Sequence, residues 1–292
     1  MSSRVISSNS QISIGNTRVK GVTSKKIDLK REFEDLRELG SWGINNRTLT
    51  SNQTQEISFD FLLIKNGFNP FDYFFGQSDI TQYPSTSISV IDNKEQIFSP
   101  ECYLESLSLS FEARQIPRGS VTFQSSSFEI TNGSNTSYSE DSEVDTKVFR
   151  PALTYVFPIT NYDDTPKQCN DDGCSFCLQS FSIDVSAGLR PITLIGAKEP
   201  SVRVPTFPVV GQVSFSFLKN DSLDNIDWSP FFLEIGGFRF ETSSIGGDQT
   251  LNITIGNCSL ISVSEDLDID GNETVSFNYD FLMTENNLIV QK

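Results

Sequence analysis

The chain of 292 residues contains no histidine. That absence removes the Ser-His-Asp and Cys-His nucleophile arrangements, the commonest general base near neutral pH, and the commonest metal ligand. Long apolar runs are missing too: none approaches the roughly 18–20 residues that a membrane helix needs. Met1 to Ser10 lacks the apolar segment of a secretory signal, so export is not expected. Triplets such as Asn46-Arg47-Thr48 and Asn272-Glu273-Thr274 are accordingly expected to carry no glycan. Cysteine is sparse, and its count of 5 is odd, so the thiols cannot all pair within the chain. Free thiols in a reducing compartment are the expectation.

What is abundant points to strands. Phenylalanine occurs 24 times, Ser, Thr and Asn are frequent, and Ala/Leu/Glu/Lys runs at helical spacing are scarce. Pleated strands joined by polar turns use that mixture, so an all-β chain is expected. Its length suits two domains, each with its own core.

The net charge of −16 is unevenly distributed. Residues 1–150 hold 15 basic and 19 acidic side chains, a net of −4; residues 151–292 therefore hold 22 − 15 = 7 and 38 − 19 = 19, a net of −12. A field of that sign repels phosphate backbones, which argues against conventional nucleic-acid binding. It suits a surface past which DNA slides without sticking.

The chain repeats itself. Shifting it by 156 positions lays residues 22–108 on 178–264 without a gap and yields 20 identities in 87 positions, against roughly six from composition. Ser24, Ile27 and Asp28 meet Ser180, Ile183 and Asp184; Gly40, Arg47 and Thr50 meet Gly196, Arg203 and Thr206. Ser58, Phe59, Phe61 and Leu62 meet Ser214, Phe215, Phe217 and Leu218. Thr86, Ser87 and Asp92 meet Thr242, Ser243 and Asp248, and Cys102 and Leu104 meet Cys258 and Leu260. A two-residue deletion then sets Val121 and Phe123 on Val275 and Phe277.

Period-two alternation places Ile57, Phe59 and Phe61 on one strand face, with Val213, Phe215 and Phe217 as counterparts. Leu107, Leu109 and Phe111 share another face, matched by Ile261 and Val263. Turns at Pro117-Arg118-Gly119 and Asp270-Gly271-Asn272 lead into strands at 120–130 and 274–284, the same hairpin in each copy. Lys25 to Leu39 has helical spacing, but its counterpart contains Pro191, so a short strand near 24–30 and at most a helical turn or two are expected. Short helices are also expected near 68–76 and 222–233. The polar, acidic stretch 130–145 reads as a linker. The expected organisation is a first β domain over 1–145, ending in that linker, and a second over 146–292.

Candidate chemistry is thin. Cys169, Cys174 and Cys177, in QCNDDGCSFC, form the one metal-like cluster. Zinc prefers four thiolate or imidazole ligands, and only three are local; Asp171, Asp172 or a neighbouring subunit's cysteine would have to complete the set. A loop with free thiols is the favoured reading, so no metal is expected. Cys102 and Cys258 read as small buried residues. Asp266, Asp268, Asp270 and Gly271 imitate the opening of a calcium loop, but the twelfth position is Phe277 where a bidentate Glu is required. Gly236-Gly237 and Gly246-Gly247 read as turns, and no glycine-rich phosphate cradle is present. Trp42 and Trp228 are not repeat-equivalent, and each reads as core or subunit contact rather than a sugar platform. No catalytic residue and no cofactor is identified.

Residues 178–217, LQSFSIDVSAGLRPITLIGAKEPSVRVPTFPVVGQVSFSF, resemble a segment of the tail tube proteins of long-tailed bacteriophages. In it a Ser-Phe-Ser strand leads, through a loop with Arg-Pro and Leu/Ile-Gly, into a second strand. The first copy retains TSKKIDLKREFEDLRELGS, Arg47 and QEISFDF. The resemblance implies two tandem β-sandwich domains with at most one or two short helices each. It further implies a virion subunit, assembled in the host cytoplasm, whose rings stack into a tube that conducts DNA. Partners would be other copies, as a homotrimer with pseudo-sixfold symmetry, and other tail proteins, with no membrane. A hub, neck or tail-terminal ring is the near alternative. A carbohydrate- or protein-binding pair of sandwiches is the second class, and a carboxylate glycosidase the third.

Overall fold

The computed structural model describes residues 11–15, 17–30, 33–36, 46–49, 54–64, 68, 70, 85–92, 95–113, 115–132, 149–159, 178–192, 202–206, 209–219, 235–244, 250–267, 273–282 and 288–291. The first half contributes β1 (Gln11–Ile14), β2 (Thr17–Arg18), β3 (Val22–Lys30), β4 (Phe33–Leu36), β5 (Asn46–Leu49), β6 (Thr54–Leu62), β7 (Ser85–Asp92), β8 (Glu95–Glu112), β9 (Arg118–Ser125) and β10 (Glu129–Asn132). The second half contributes β11 (Phe149–Ile159), β12 (Leu178–Ser186), β13 (Leu189–Ile192), β14 (Val202–Pro205), β15 (Val210–Lys219), β16 (Ile235–Ser244), β17 (Thr250–Leu267), β18 (Glu273–Leu282) and β19 (Leu288–Gln291). No α-helix occurs among the described residues.

Fifteen of these strands form one antiparallel sheet, and the hairpins β4–β5 and β13–β14 stand apart as two-stranded sheets. In the first half the order is β3-β6-β9-β8-β7-β1-β2, with β10 also on β8. In the second it is β12-β15-β18-β17-β16-β11, with β19 also on β17. Among the described residues β8 takes part in four ladders and β17 in three. One part of β8, from Glu95 to Tyr103, pairs with β7, and another, from Cys102 to Ser110, pairs with β9. Rings then meet between ladders. Phe238 of β16 contacts Phe215 of β15 edge-on at 4.9 Å, and Phe240 stacks on Phe181 of β12 at 4.0 Å.

The hydrogen-bond registers repeat along with the order. Phe59 faces Val121, and Phe215 faces Phe277, each second-half residue lying 156 positions on. Phe33 faces Leu49, and Leu189 faces Pro205, at the same shift. Irregularities recur as well. The step between Val22 and Ser24 reappears between Leu178 and Ser180, and that between Leu104 and Ser106 between Leu260 and Ser262. Bulges are placed by local strain and twist, so their coincidence is a stronger sign of common origin than shared alternation.

Several sequence expectations are corrected by these registers. No two-residue deletion precedes the hairpin: Val121 and Phe123 correspond to Phe277 and Tyr279, at the unbroken shift of 156. In β7 the true shift is 150, because Ile88 faces Ser99 as Phe238 faces Ile255. Thr86 therefore corresponds to Gly236, not Thr242. Two loops changed length in opposite senses, so an ungapped comparison passed over the displacement. The bulge after Leu260 turns Ile261 outward, 52 % exposed, instead of placing it with Val263.

Four further segments differ from expectation. The short strand expected near 24–30 is present as β3, with Lys25, Ile27 and Leu29 in the ladder with β6, but Phe33–Leu36 forms β4 where a helical turn or two was expected. Arg118 and Gly119 lie inside β9 rather than in a turn, and Gly236 and Gly237 lie inside β16. The linker cannot begin at 130, since β10 runs to Asn132 on the edge of β8. The short helices expected near 68–76 (apart from Phe68 and Pro70) and near 222–233, and the turn at Asp270-Gly271-Asn272, lie outside the described residues.

Ile57, Phe59 and Phe61 are buried, as are Val213, Phe215 and Phe217, so alternation read the inward face correctly. The copies fill one position differently. Gln55 faces Ser125 across β6–β9, and the corresponding pair is Gly211 and Phe281. In the first copy Ser99 Oγ donates to Gln55 Oε1 at 2.7 Å, and all three side chains are buried. In the second, the Phe281 ring occupies that space: a Cβ added to Gly211 would lie 2.2 Å from its Cζ. Glycine inside a strand thus marks a close approach by a neighbour. Gly211→Ala is expected to destabilise the protein by about 1–3 kcal/mol through overpacking. In urea titrations Gln55→Gly and Ser125→Phe together should cost less than the sum of the single changes, a coupling that a double-mutant cycle measures.

Candidate assembly interface

The two halves join through a strand pair that belongs to neither. β12 of the second half lies antiparallel to β8 of the first, with Phe181 opposite Phe111, Ile183 opposite Leu109 and Val185 opposite Leu107. All six side chains are buried. Phe240 caps this seam, its ring 4.6 Å from that of Phe111 and parallel to that of Phe181. The opposite face carries Ser182, Asp184 and Ser186 against Ser110, Ser108 and Ser106. Apolar residues alternate with short polar ones, the pattern of a strand pair with one face in the core.

The seam is heterologous: the front strand of one copy meets the long back strand of the other. Under the repeat, β12 corresponds to β3 and β8 to β17. Both of those strands have an open side. β3 pairs only with β6, and the Ser262–Leu267 part of β17 pairs only with β18, among the described residues. Exposure records the missing neighbour. Val185 is 3 % exposed at the closed seam, whereas its counterpart Leu29 is 49 % exposed. Leu107 is buried, whereas its counterpart Val263 is partly exposed.

Chemistry at the open edges differs from that of the closed seam. Where Phe181 sits in the second copy, the first has Lys25, whose Nζ lies 3.2 Å from Asp92 of β7. Lys26 pairs with Asp28, and Lys30 with Glu56. The open part of β17 instead exposes Glu265 and Asp266. The β3 edge thus carries three lysines, each with a carboxylate partner, whereas Glu265 and Asp266 on the β17 edge make no ion pair to a described residue. An inward-pointing charge on an edge strand is a recognised guard against indiscriminate pairing.

Alkyl and thiol groups elsewhere carry little reactivity. Cys102 and Cys258 are free and buried. Their settings repeat: Cys102 Sγ approaches Ser99 O at 3.7 Å, and Cys258 Sγ approaches Ile255 O at 3.8 Å. Burial pushes both thiols from 9.0 up to about 12, which leaves them protonated and non-nucleophilic near neutral pH. No group of three or more metal-ligating side chains occurs among the described residues. Cys169, Cys174 and Cys177 lie outside them, as do Asp268, Asp270 and both tryptophans. Asp266 is exposed on the β17 edge. No helix among the described residues is long and apolar enough to cross a membrane.

No family model and no curated protein sequence matches the chain. The edge strands were the part that residue-by-residue reading missed. Their signal was present in the repeat itself, as charged residues in one copy at positions that are apolar or serine in the other.

The thiol shifts set a pH dependence. A folded-state value above the unfolded one means that the native protein holds its proton longer, so the contribution is complete below about pH 9 and is lost as pH rises toward 12. Native protein should therefore resist an aromatic disulfide reagent at these two positions at pH 8. Urea stability should fall above pH 9 by about 1.4 kcal/mol per pH unit per thiol, a slope that Cys102→Ala with Cys258→Ala should flatten.

Proposed function

We propose that this protein is a structural subunit whose two β-sandwich copies act as consecutive members of a homo-oligomeric ring. Rings of this kind stack into the tube of a long-tailed phage virion and conduct DNA during ejection. One observation carries the reading: the chain already contains one head-to-tail seam between its copies, and the two edges that would form the next seam are open and opposite in charge. A heterologous contact of that kind repeats from chain to chain and closes into a ring when the rotation fits. A chain with two copies enters such a ring as a double unit, so three chains would give pseudo-sixfold symmetry.

Other features agree with a structural role. The buried thiols are held protonated, no histidine is available as a base, and the net charge of −16 disfavours adhesion to DNA. The sandwich description rests on the way β16 lies over β12 and β15, with Phe240 on Phe181 and Phe238 on Phe215. The exposed large apolar side chains among the described residues are all aliphatic, whereas a sugar-binding sheet presents aromatic platforms. Assembly would take place in the host cytoplasm, with other tail proteins and further copies of the chain as partners.

Negative-stain imaging of the purified protein over a range of concentrations tests this directly. Rings or tubes of uniform width are expected at high concentration. Particles the size of one chain at every concentration would sink the assignment.

A further inference from the structure

We propose that the seam between chains pairs β3 of one molecule with β17 of the next in a single register, Lys26 opposite Asp266 and Leu29 opposite Val263, and that charge makes this seam directional. The proposal rests on the reading of the chain as a ring subunit and adds its contact residues. The register comes from the molecule itself. At the closed seam Ser182 faces Ser110 and Val185 faces Leu107. Subtracting 156 from the β12 residues gives Lys26 and Leu29, and adding 156 to the β8 residues gives Asp266 and Val263. The same operation sets Ile27 against Glu265, Asp28 against Ser264 and Lys30 against Ser262. The shift is valid on both strands, because the ladders β3–β6 and β8–β9 map onto β12–β15 and β17–β18 with their bulges in place.

The side chains at these positions fit a second copy of this chain. Leu29, half exposed, would lie beside the partly exposed Val263, as Val185 lies beside Leu107. On the opposite face the serine pair of the closed seam becomes Lys26 and Asp266. Lys26 is exposed with only Asp28 beside it on its own strand, and neither Glu265 nor Asp266 makes an ion pair to a described residue. Two β17 strands would oppose Glu265 and Asp266, which repel, whereas β3 carries Asp28 among its lysines and offers Lys26 to Asp266. The mixed pair is therefore favoured over a two-fold pairing of β17 edges, which favours ring growth. The closed seam needs no such device, because its two strands belong to one chain.

Two sets of variants test this, with circular dichroism confirming that each retains its strands. In a background with Cys169, Cys174 and Cys177 changed to serine, Leu29→Cys with Val263→Cys should give a ladder of disulfide-linked multimers under mild oxidation. Directly opposed antiparallel residues lie about 4.5–5.5 Å apart at Cα, within disulfide range. Leu29→Cys with Ser262→Cys, one residue out of register and on the other face, should give little. Lys26→Glu or Asp266→Lys alone should raise the concentration needed for assembly about tenfold, equivalent to about 1.4 kcal/mol. The two together should return it to within about threefold, and added salt should weaken the wild-type seam.

Rings that form but link through Leu29→Cys alone, or only through Ser262→Cys, would overturn the register while leaving the subunit role intact. Equal assembly by K26E, D266K and wild type would overturn the directional charge. Absence of any assembly would overturn both this seam and the role on which it rests.

Discussion

An antiparallel ladder satisfies backbone groups only between strands, so every open sheet leaves a row of donors and acceptors unpaired at each outer edge. Much of this molecule is organised by that constraint. Within the chain, one such edge from each copy is closed by the β8–β12 pair, whose three apolar cross-strand pairs are all buried. The corresponding edges at the outside, β3 and the end of β17, keep Ile27, Leu29 and Val263 but carry Lys25 and Glu265 at apolar positions and Lys26, Lys30 and Asp266 at serine positions. Charge at the edge of a sheet disfavours indiscriminate pairing with other strands.

The long strands make this arrangement possible. β8 and β17 each run 18 residues, long enough for the first part to pair with one set of strands and the second part with another. A bulge in the same place on both strands changes which side chains face inward, so that Leu104 and Leu107 are buried although they are three apart. The preserved bulge also keeps the β8–β9 and β17–β18 ladders in equivalent register. Loops could change length around these strands, as they did on either side of β7, without disturbing the pairing between them.

Divergence between the copies was coordinated where side chains touch. Gln55, Ser99 and Ser125 in one copy correspond to Gly211, Ile255 and Phe281 in the other, so a hydrogen-bonded cluster corresponds to an aromatic ring over a glycine. Close packing couples such changes, because neither half of the exchange fits without the other. Cys102 and Cys258 stayed the same beneath that exchange, each with its sulfur directed at the carbonyl three residues earlier.

Period-two alternation and the 156-residue repeat were determined by the sequence alone, because inward faces need apolar residues whatever the neighbouring strand is. Ile57, Phe59, Phe61 and their counterparts show this. Over Lys25 to Leu39 the repeat, whose second copy contains Pro191, pointed to the strand near 24–30 that forms β3, whereas β4 at Phe33–Leu36 stands where a helical turn or two was expected. Which strands adjoin, where the bulges fall and that Val185 is covered while Leu29 is open were decided only in three dimensions. Pairing depends on partners far away in the chain, and no local pattern encodes whether an edge already has one.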